Sequence, residues 1–396
     1  MLVAVVQGIA FVVLVAADGI PPWRALRAVV VVAGTVAATA GLRRASRSVR
    51  GWTAVGWGLA GLVTGLGIAP AHLSKSGATT VAVTGAALLF AGLALAAYGT
   101  VVLVRAARGW HKLLAVPAAA LVAQFVLLPV PQSIAATNVP PTSSGAPTPA
   151  AAGLTYEDVV VHTRDGIPLA AWFVPGPNRA AVVLLHGAGS TRGAVVDHAA
   201  VLARHGYGVL LLDTRGHGAS AGRAMDFGWY GVPDVAAAVS HLVGRSDVDE
   251  DRIAVVGLSM GGEQAITAAA ADRRIRAVVA EGVERRSTGD LETLPSGVGG
   301  AVQRAVEWTV FTVADLLTEA AQPIGLADAF ARTAPRPILL IAGRGEVDGA
   351  RQYRAAAPVS TQLWELPDTP HTQGLARHPD QWSARVTAFL DSALRP

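Results

Sequence analysis

Residues 253–262 read IAVVGLSMGG: a short apolar, β-branched run, then Ser259 framed by Gly257 and Gly261 as G-x-S-x-G, then residues that favour a helix. A chain that turns from strand to helix within so few residues forces the turn residue into a strained conformation, and small flanking residues leave room for it. The serine hydroxyl then stands above the end of a sheet, while the following helix aims its positive end at any negative charge that develops there. The pentapeptide alone is a weak signal, because a chain of this composition contains about 0.2 of them by chance. Its strand-to-helix setting is what makes Ser259 a candidate nucleophile.

The chemistry open to that serine is narrowed by what the chain lacks. There is no cysteine, which excludes thiolate nucleophiles, disulfides and thiolate metal sites. The last lysine is Lys112, so a serine–lysine pair is excluded downstream of it and any base for Ser259 must be a histidine. No H-E-x-x-H and no Asp/His cluster argues for a metal, and no cofactor is expected.

The formal charge of +4 conceals a division. Residues 1–153 carry ten Lys or Arg against the single acid Asp18, whereas residues 154–396 carry 22 Arg and 27 acids. The basic part is also the apolar part, so its charge reads as membrane topology, and no basic stripe interleaved with aromatics supports nucleic-acid binding. Charges are absent from residues 1–17, 28–42, 51–71, 76–104 and 113–156. Each run holds an apolar core near the ~20 residues that cross a bilayer. Five spans are expected, near 1–17, 25–42, 52–70, 80–104 and 112–130, making residues 1–130 an all-α transmembrane region. The stretch TVAVTGAALLFAGLALAAYGTVVLV has no polar face at helical spacing, unlike a helix of a soluble core.

The links between spans carry Arg24 and Arg27, then Arg43, Arg44, Arg47 and Arg50, then Lys75 alone, then Arg105, Arg108 and Lys112. By the positive-inside rule the second and fourth links are cytoplasmic, so everything after the fifth span is expected outside; Arg24 and Arg27 dissent. Val15-Ala16-Ala17 offers a signal-peptide cleavage alternative for residues 1–17, but no charged segment precedes the apolar core. Intramembrane polar groups are few: Gln7, Gln124 and Tyr98, with His72 and His111 at span ends. Anchoring is therefore favoured over transport, and the glycines of the third span read as helix-packing residues.

Residues 131–153, PQSIAATNVPPTSSGAPTPAAAG, read as an extended, semi-rigid linker. Residues 154–396 then alternate strand and helix patterns. EDVVVH and IPLAAWFV form an opening antiparallel pair around a turn at Asp165-Gly166. AAVVLL, YGVLLL, IAVVGL, RAVVAEG, PILLIAG and TQLWELP follow, with helices expected near 193–205, 230–244, 262–271, 349–357 and 379–394. Apolar strands separated by helices indicate an α/β fold, a mostly parallel sheet covered on both faces. Residues 284–334 interrupt the rhythm.

Three further motifs bring out a resemblance. They are LLHGAG (184–189), DTRGHGAS (213–220) and PDTPHTQGL (367–375). Together with GLSMGG they resemble the α/β-hydrolase superfamily, in its serine peptidase or esterase-like branch, over essentially all of residues 154–396. The resemblance implies an oxyanion hole from the backbone amides of Ala188 and Met260, and a loop organised by Asp213, Arg215 and His217. It implies His371 as catalytic base, with His378 at the start of the last helix a surface residue. The acid should follow the strand PILLIAG: Glu346 has the expected spacing and Asp348 the expected residue type, with Glu281 a weaker third. His162, His198, His205 and His241 sit in no motif and read as structural or exposed. Residues 284–334 fall where relatives insert a cap, and Trp308 and Phe311 would line an acyl pocket there.

The expected function is that of a membrane-anchored serine hydrolase acting on an ester, thioester or amide of a small-molecule or peptide substrate. The alternative is a hydrolase-like domain that binds or regulates without turnover. The lipid bilayer is the other expected partner, at the cell membrane.

Overall fold

The computed structural model describes residues 1–17, 21–142, 145 and 147–395, with only the backbone of 21–23. Ser143, Ser144 and Ala146 of the expected linker lie outside the described residues. The chain forms two compact units, residues 1–140 with 301–317, and residues 141–300 with 318–396.

The first unit is helical: α1 (Leu2–Ala17), α2 (Pro21–Arg44), α3 (Arg47–Ser76), α4 (Thr80–Ala106), α5 (Ala115–Val122) and α6 (Pro129–Asn138). Among the described residues, four stretches are long and apolar enough to cross a membrane, namely Arg24–Arg44, Arg47–Ser76, Thr80–Ala106 and Gly109–Asn138. The protein is thus a multi-pass membrane protein. The first of the five expected spans, α1, has 16 residues. At ~1.5 Å per residue it falls short of a hydrocarbon core of ~30 Å.

The last stretch runs further than the sequence pattern indicates. Its helix continues through a single-turn π segment at Ala123–Leu127 into α6, so residues 131–138 are helical where an extended linker is expected. Pro129 opens α6, where a missing N–H is tolerated, and Leu128 N still donates to Ala123 O at 3.0 Å. The hydroxyls of Ser133 and Thr137 donate back to the carbonyls of Pro129 and Ser133 at 3.1 and 2.9 Å, which satisfies them without water.

Glycines let α3 and α4 meet backbone to backbone. A Cβ on Gly92 would lie 2.3 Å from Leu62 N, and one on Gly58 would lie 2.4 Å from Ala96 N. Lipid supplies no hydrophobic drive between spans, so close approach and dispersion hold them. A late segment joins this unit: residues 301–317 of α10 (Gly297–Leu317), in which Val310, Phe311 and Ala314 are buried. Ser133 Oγ donates to Val310 O at 2.7 Å, and Leu317 packs on the cluster of Val63, Ile68 and Ile134.

The second unit is built on an eight-stranded sheet: β1 (Glu157–His162), β2 (Pro168–Val174), β3 (Ala181–Leu185), β4 (Gly208–Leu212), β5 (Ile253–Leu258), β6 (Ile275–Glu281), β7 (Ile338–Ala342) and β8 (Thr361–Glu365). Their order is β1-β2-β4-β3-β5-β6-β7-β8, antiparallel at β1-β2 and β2-β4 and parallel thereafter. All eight strands lie on the runs that the sequence marks. β3, β4, β5 and β7 are buried at every residue because helices cover both faces. Val183 and Leu185 pack with α8 (Gly231–Val243), α9 (Met260–Ala271), α11 (Leu326–Thr333) and α12 (Val347–Ala356). Val182 and Leu184 point the other way, toward α7 (Val196–Arg204) and α14 (Pro379–Ala393), the latter preceded by the short α13 (Gly374–Arg377). Because β3 and β5 to β8 run in parallel, the loops after them emerge at one edge of the sheet.

The helix contact is open to test. Gly92→Leu should destabilise the protein in detergent by about 1–3 kcal/mol through overpacking. Gly56→Leu, where an added Cβ meets nothing within 4 Å, should leave thermal unfolding unchanged. Equal midpoints for the two variants would refute the close approach.

Candidate active site

The β5–α9 turn is as tight as its sequence suggests. Ser259 sits at φ 52°, ψ −123°, a conformation that L residues rarely adopt and that costs about 1–3 kcal/mol. The backbone is held there: Ser259 N donates to Glu281 O at 2.7 Å, and Ser259 O accepts from Gly262 N and Glu263 N at 2.8 and 3.1 Å. Both flanking glycines are obligatory for steric reasons. A Cβ on Gly257 would lie 2.1 Å from Gly261 O, and one on Gly261 would lie 2.7 Å from the carbonyls of Leu185 and His186. The Met260 amide is the first of α9, at the positive end of that helix.

Two other strand ends bring side chains to the serine. His371, in the loop after β8, has Nε2 2.9 Å from Ser259 Oγ and Nδ1 2.5 Å from Glu346 Oε1. Glu346, after β7, is buried, and its second oxygen accepts from Gly343 N at 2.6 Å. With the carboxylate ionised, Nδ1–H donates to Glu346 and the Nε2 lone pair is left to accept from the serine hydroxyl. The bond to Glu346 holds the imidazole above its usual pKa, with burial opposing. Of the two acids that the sequence leaves open, Asp348 points away: its side chain is 93% exposed and 3.6 Å from Arg351. Two residues further on, in the first turn of α12, a carboxylate faces solvent.

Glu281 has a different task. Its oxygens accept from Gly374 N at 2.7 Å and Trp382 Nε1 at 3.0 Å, which ties the chain just after His371 to the sheet. His378, expected at the surface, is half-buried at the start of α14, with Nε2 2.8 Å from Thr369 Oγ1. The His371 loop is therefore fastened at both ends.

The H-G-A-G loop after β3 is braced by the D-T-R-G-H-G loop after β4. Asp213 accepts from Arg192 N at 2.7 Å and Ala219 N at 3.0 Å, and His217 Nε2 accepts from Gly189 N at 3.3 Å. Arg215 spans two carboxylates, Asp165 at 2.6 and 3.0 Å and the buried Asp234 at 3.1 Å. Asp234 has no motif to announce it, and burial pushes its carboxyl up to about 6. These residues touch one another rather than Ser259, in keeping with a positioning role. Among the described residues, no group of three or more His, Asp or Glu is placed to hold a metal ion.

Comparison with known proteins bears on the fold. A model of the serine aminopeptidase S33 family matches residues 176–283. An uncharacterised Mycobacterium tuberculosis protein is 38% identical over 128 residues, covering 31% of this chain and 45% of that one. The α/β-hydrolase domain-containing protein WAV2 of Arabidopsis thaliana is 35% identical over 121 residues, covering 29% and 38%. The chain thus matches less than half the length of these curated relatives. A solved esterase of Pyrococcus furiosus superposes with a TM-score of 0.52 at 25% identity, covering 65% of this chain and all of that one. The chain carries an α/β-hydrolase fold.

In the hydrolase unit a cavity of about 450 Å³ opens over Ser259 and His371, lined also by Gly187, Ala188, Ser190, Leu258, Thr372 and Leu375. Trp308 and Phe311 belong to the helical unit. His198 on α7, which sits in no motif, also lines the cavity. Its ring stands edge-on to Trp382 at 5.1 Å, and burial pushes it down to about 4, so it is neutral. The remaining unassigned histidines lie elsewhere: His205 pairs with Asp391 at 2.9 Å, His162 is exposed and His241 is half-buried.

A titration of the His371 ring by NMR should give a midpoint above the usual ~6.5 of imidazole. Glu346→Gln should lower it and Asp348→Asn should leave it in place. An unchanged midpoint in Glu346→Gln would show that Glu346 does not hold the ring.

Proposed function

We propose that the protein is a membrane-anchored serine hydrolase that cleaves an ester, thioester or amide through an acyl-enzyme. The observation that carries this reading is the continuous hydrogen-bond relay from Ser259 through His371 to Glu346 at a strained strand-to-helix turn. The S33 match and the likeness to an esterase support it.

In the proposed reaction Ser259 Oγ attacks the acyl carbon as its proton passes to His371 Nε2. The amides of Ala188 and Met260 take the charge on the carbonyl oxygen, and Glu346 stabilises the imidazolium. As the tetrahedral centre collapses, His371 returns the proton to the leaving alcohol, thiol or amine. Water, deprotonated by His371, then attacks the acyl-enzyme and releases the acid. No cofactor enters any step. The distribution of arginines between the spans supports an extracytoplasmic hydrolase unit. A carboxy-terminal alkaline phosphatase fusion should then be active in cells, and an inactive, stable fusion would reverse the sidedness.

Wild-type protein should label with a fluorophosphonate and hydrolyse p-nitrophenyl acetate. Ser259→Ala should abolish labelling and lower kcat/KM by about 10³-fold or more, with Glu346→Gln losing about 10²–10⁴-fold and Asp348→Asn losing little. Since His371 must be neutral to accept the proton, activity should fall as pH drops through its raised pKa, and Glu346→Gln should move that limb to lower pH. Equal rates for folded wild type and Ser259→Ala would refute catalysis.

A further inference from the structure

We propose that residues 301–317 of α10 are a lipid-contacting helix that lies along one face of the bilayer, with Val302, Ala305, Trp308 and Leu316 directed into the lipid. The inference concerns the helical unit alone and does not depend on the proposed catalysis.

The level of the helix follows from what it touches. Val310 O accepts from Ser133 Oγ on α6, at the end of the last span. Leu317 O accepts from Arg27 Nη2 at 3.3 Å, near the start of α2. Between Arg27 and Ser133 lie the four membrane-length stretches, an even number of crossings, so both positions belong to the same face of the membrane. Leu317 also packs against the cluster of Val63, Ile68 and Ile134, on α3 and the last span. A helix held to these span ends sits where acyl chains give way to headgroups.

Its composition fits that depth. Val310, Phe311 and Ala314 are its buried positions. A second apolar face is left uncovered: Val302, Ala305, Trp308 and Leu316 fall, with Thr309 and Thr312, within a sector of about 120° at ~3.6 residues per turn. Trp308 is 55% and Leu316 73% exposed. Gln303, Arg304, Glu307 and Asp315 lie on the opposite side, which they share with the buried Val310, Phe311 and Ala314. Three charged residues in this segment argue against a crossing, and an apolar face opposite a charged one suits a helix in the plane of the interface, where Trp is favoured.

Continuity identifies the occupant. Val29 and Val30 on α2, within one turn of Arg27, are 65% and 61% exposed on a helix whose surroundings are lipid, and α10 joins that helix through the bond from Arg27 to Leu317 O. In chain order α10 falls between β6 and β7, so the chain returns to lipid once after leaving its last span.

The lack of native cysteine makes the test direct. Val302→Cys, Ala305→Cys and Leu316→Cys would each be labelled with an NBD fluorophore in the full-length protein, reconstituted in phosphatidylcholine–phosphatidylglycerol vesicles with or without doxyl-labelled lipid. Phe90→Cys on α4 serves as the lipid-exposed reference and Val359→Cys, on the hydrolase unit, as the aqueous one. The three α10 probes should be quenched by doxyl lipid at least about twofold more than the Val359 probe. Quenching no greater than at Val359 would overturn the proposal. Blue-shifted emission without doxyl quenching would also overturn it, since a protein surface, such as a second copy of the chain, would then cover the face.

Discussion

The contact on which the site depends is the one between β5 and the first turn of α9, where Gly257 lies against the Gly261 carbonyl and Gly261 against the carbonyls of Leu185 and His186, so closely that neither can carry a Cβ. That closeness forces Ser259 into its strained backbone, sets its hydroxyl at the rim of the sheet and leaves the Met260 amide at the head of a helix. The strain is sustained by the sheet itself, since Ser259 N is bonded to Glu281 O at the end of β6. Glu281 in turn holds Gly374 and Trp382, and so the loop that carries His371. One residue thus links the turn, through its carbonyl, to the neighbouring strand and, through its carboxylate, to the histidine loop.

Much of this was legible in the sequence, for identifiable reasons. The strands stand out because those buried on both faces must be apolar at consecutive positions, and AVVLL and ILLIA satisfy that without exception. Glu346 could be favoured over Asp348 by spacing from the end of β7, because the loop between them is short enough for residue number to fix direction. His378 escaped because its partner Thr369 is nine positions away across a turn, and no local pattern encodes that bond. His198 escaped because a histidine on the buried face of α7 looks like any core residue until the fold sets it beside the cavity.

The membrane region shows the complementary case. Apolar runs free of charge announce spans, yet their ends are set by side-chain bonding that hydropathy ignores. Pro, Ser and Thr between 129 and 138 resemble linker composition, but a proline in the first turn and hydroxyls bonded to carbonyls one turn back are compatible with helix. The segment 301–317 was harder still: its partners lie more than 170 positions earlier in the chain, as the Ser133 bond to Val310 shows.

The three residues of the relay arrive on the ends of β5, β7 and β8, and the histidine and serine that touch are 112 positions apart. Their spacing is therefore set by sheet register, Leu258 opposite Glu281, Glu281 opposite Ile341 and Ala342 opposite Glu365. A slip of one residue anywhere along that series would turn side chains to the opposite face and part the Ser259 hydroxyl from His371. Because His371 follows β8, the last strand in the sequence, its contact with Ser259 requires the whole parallel series from β5 to β8 to be paired.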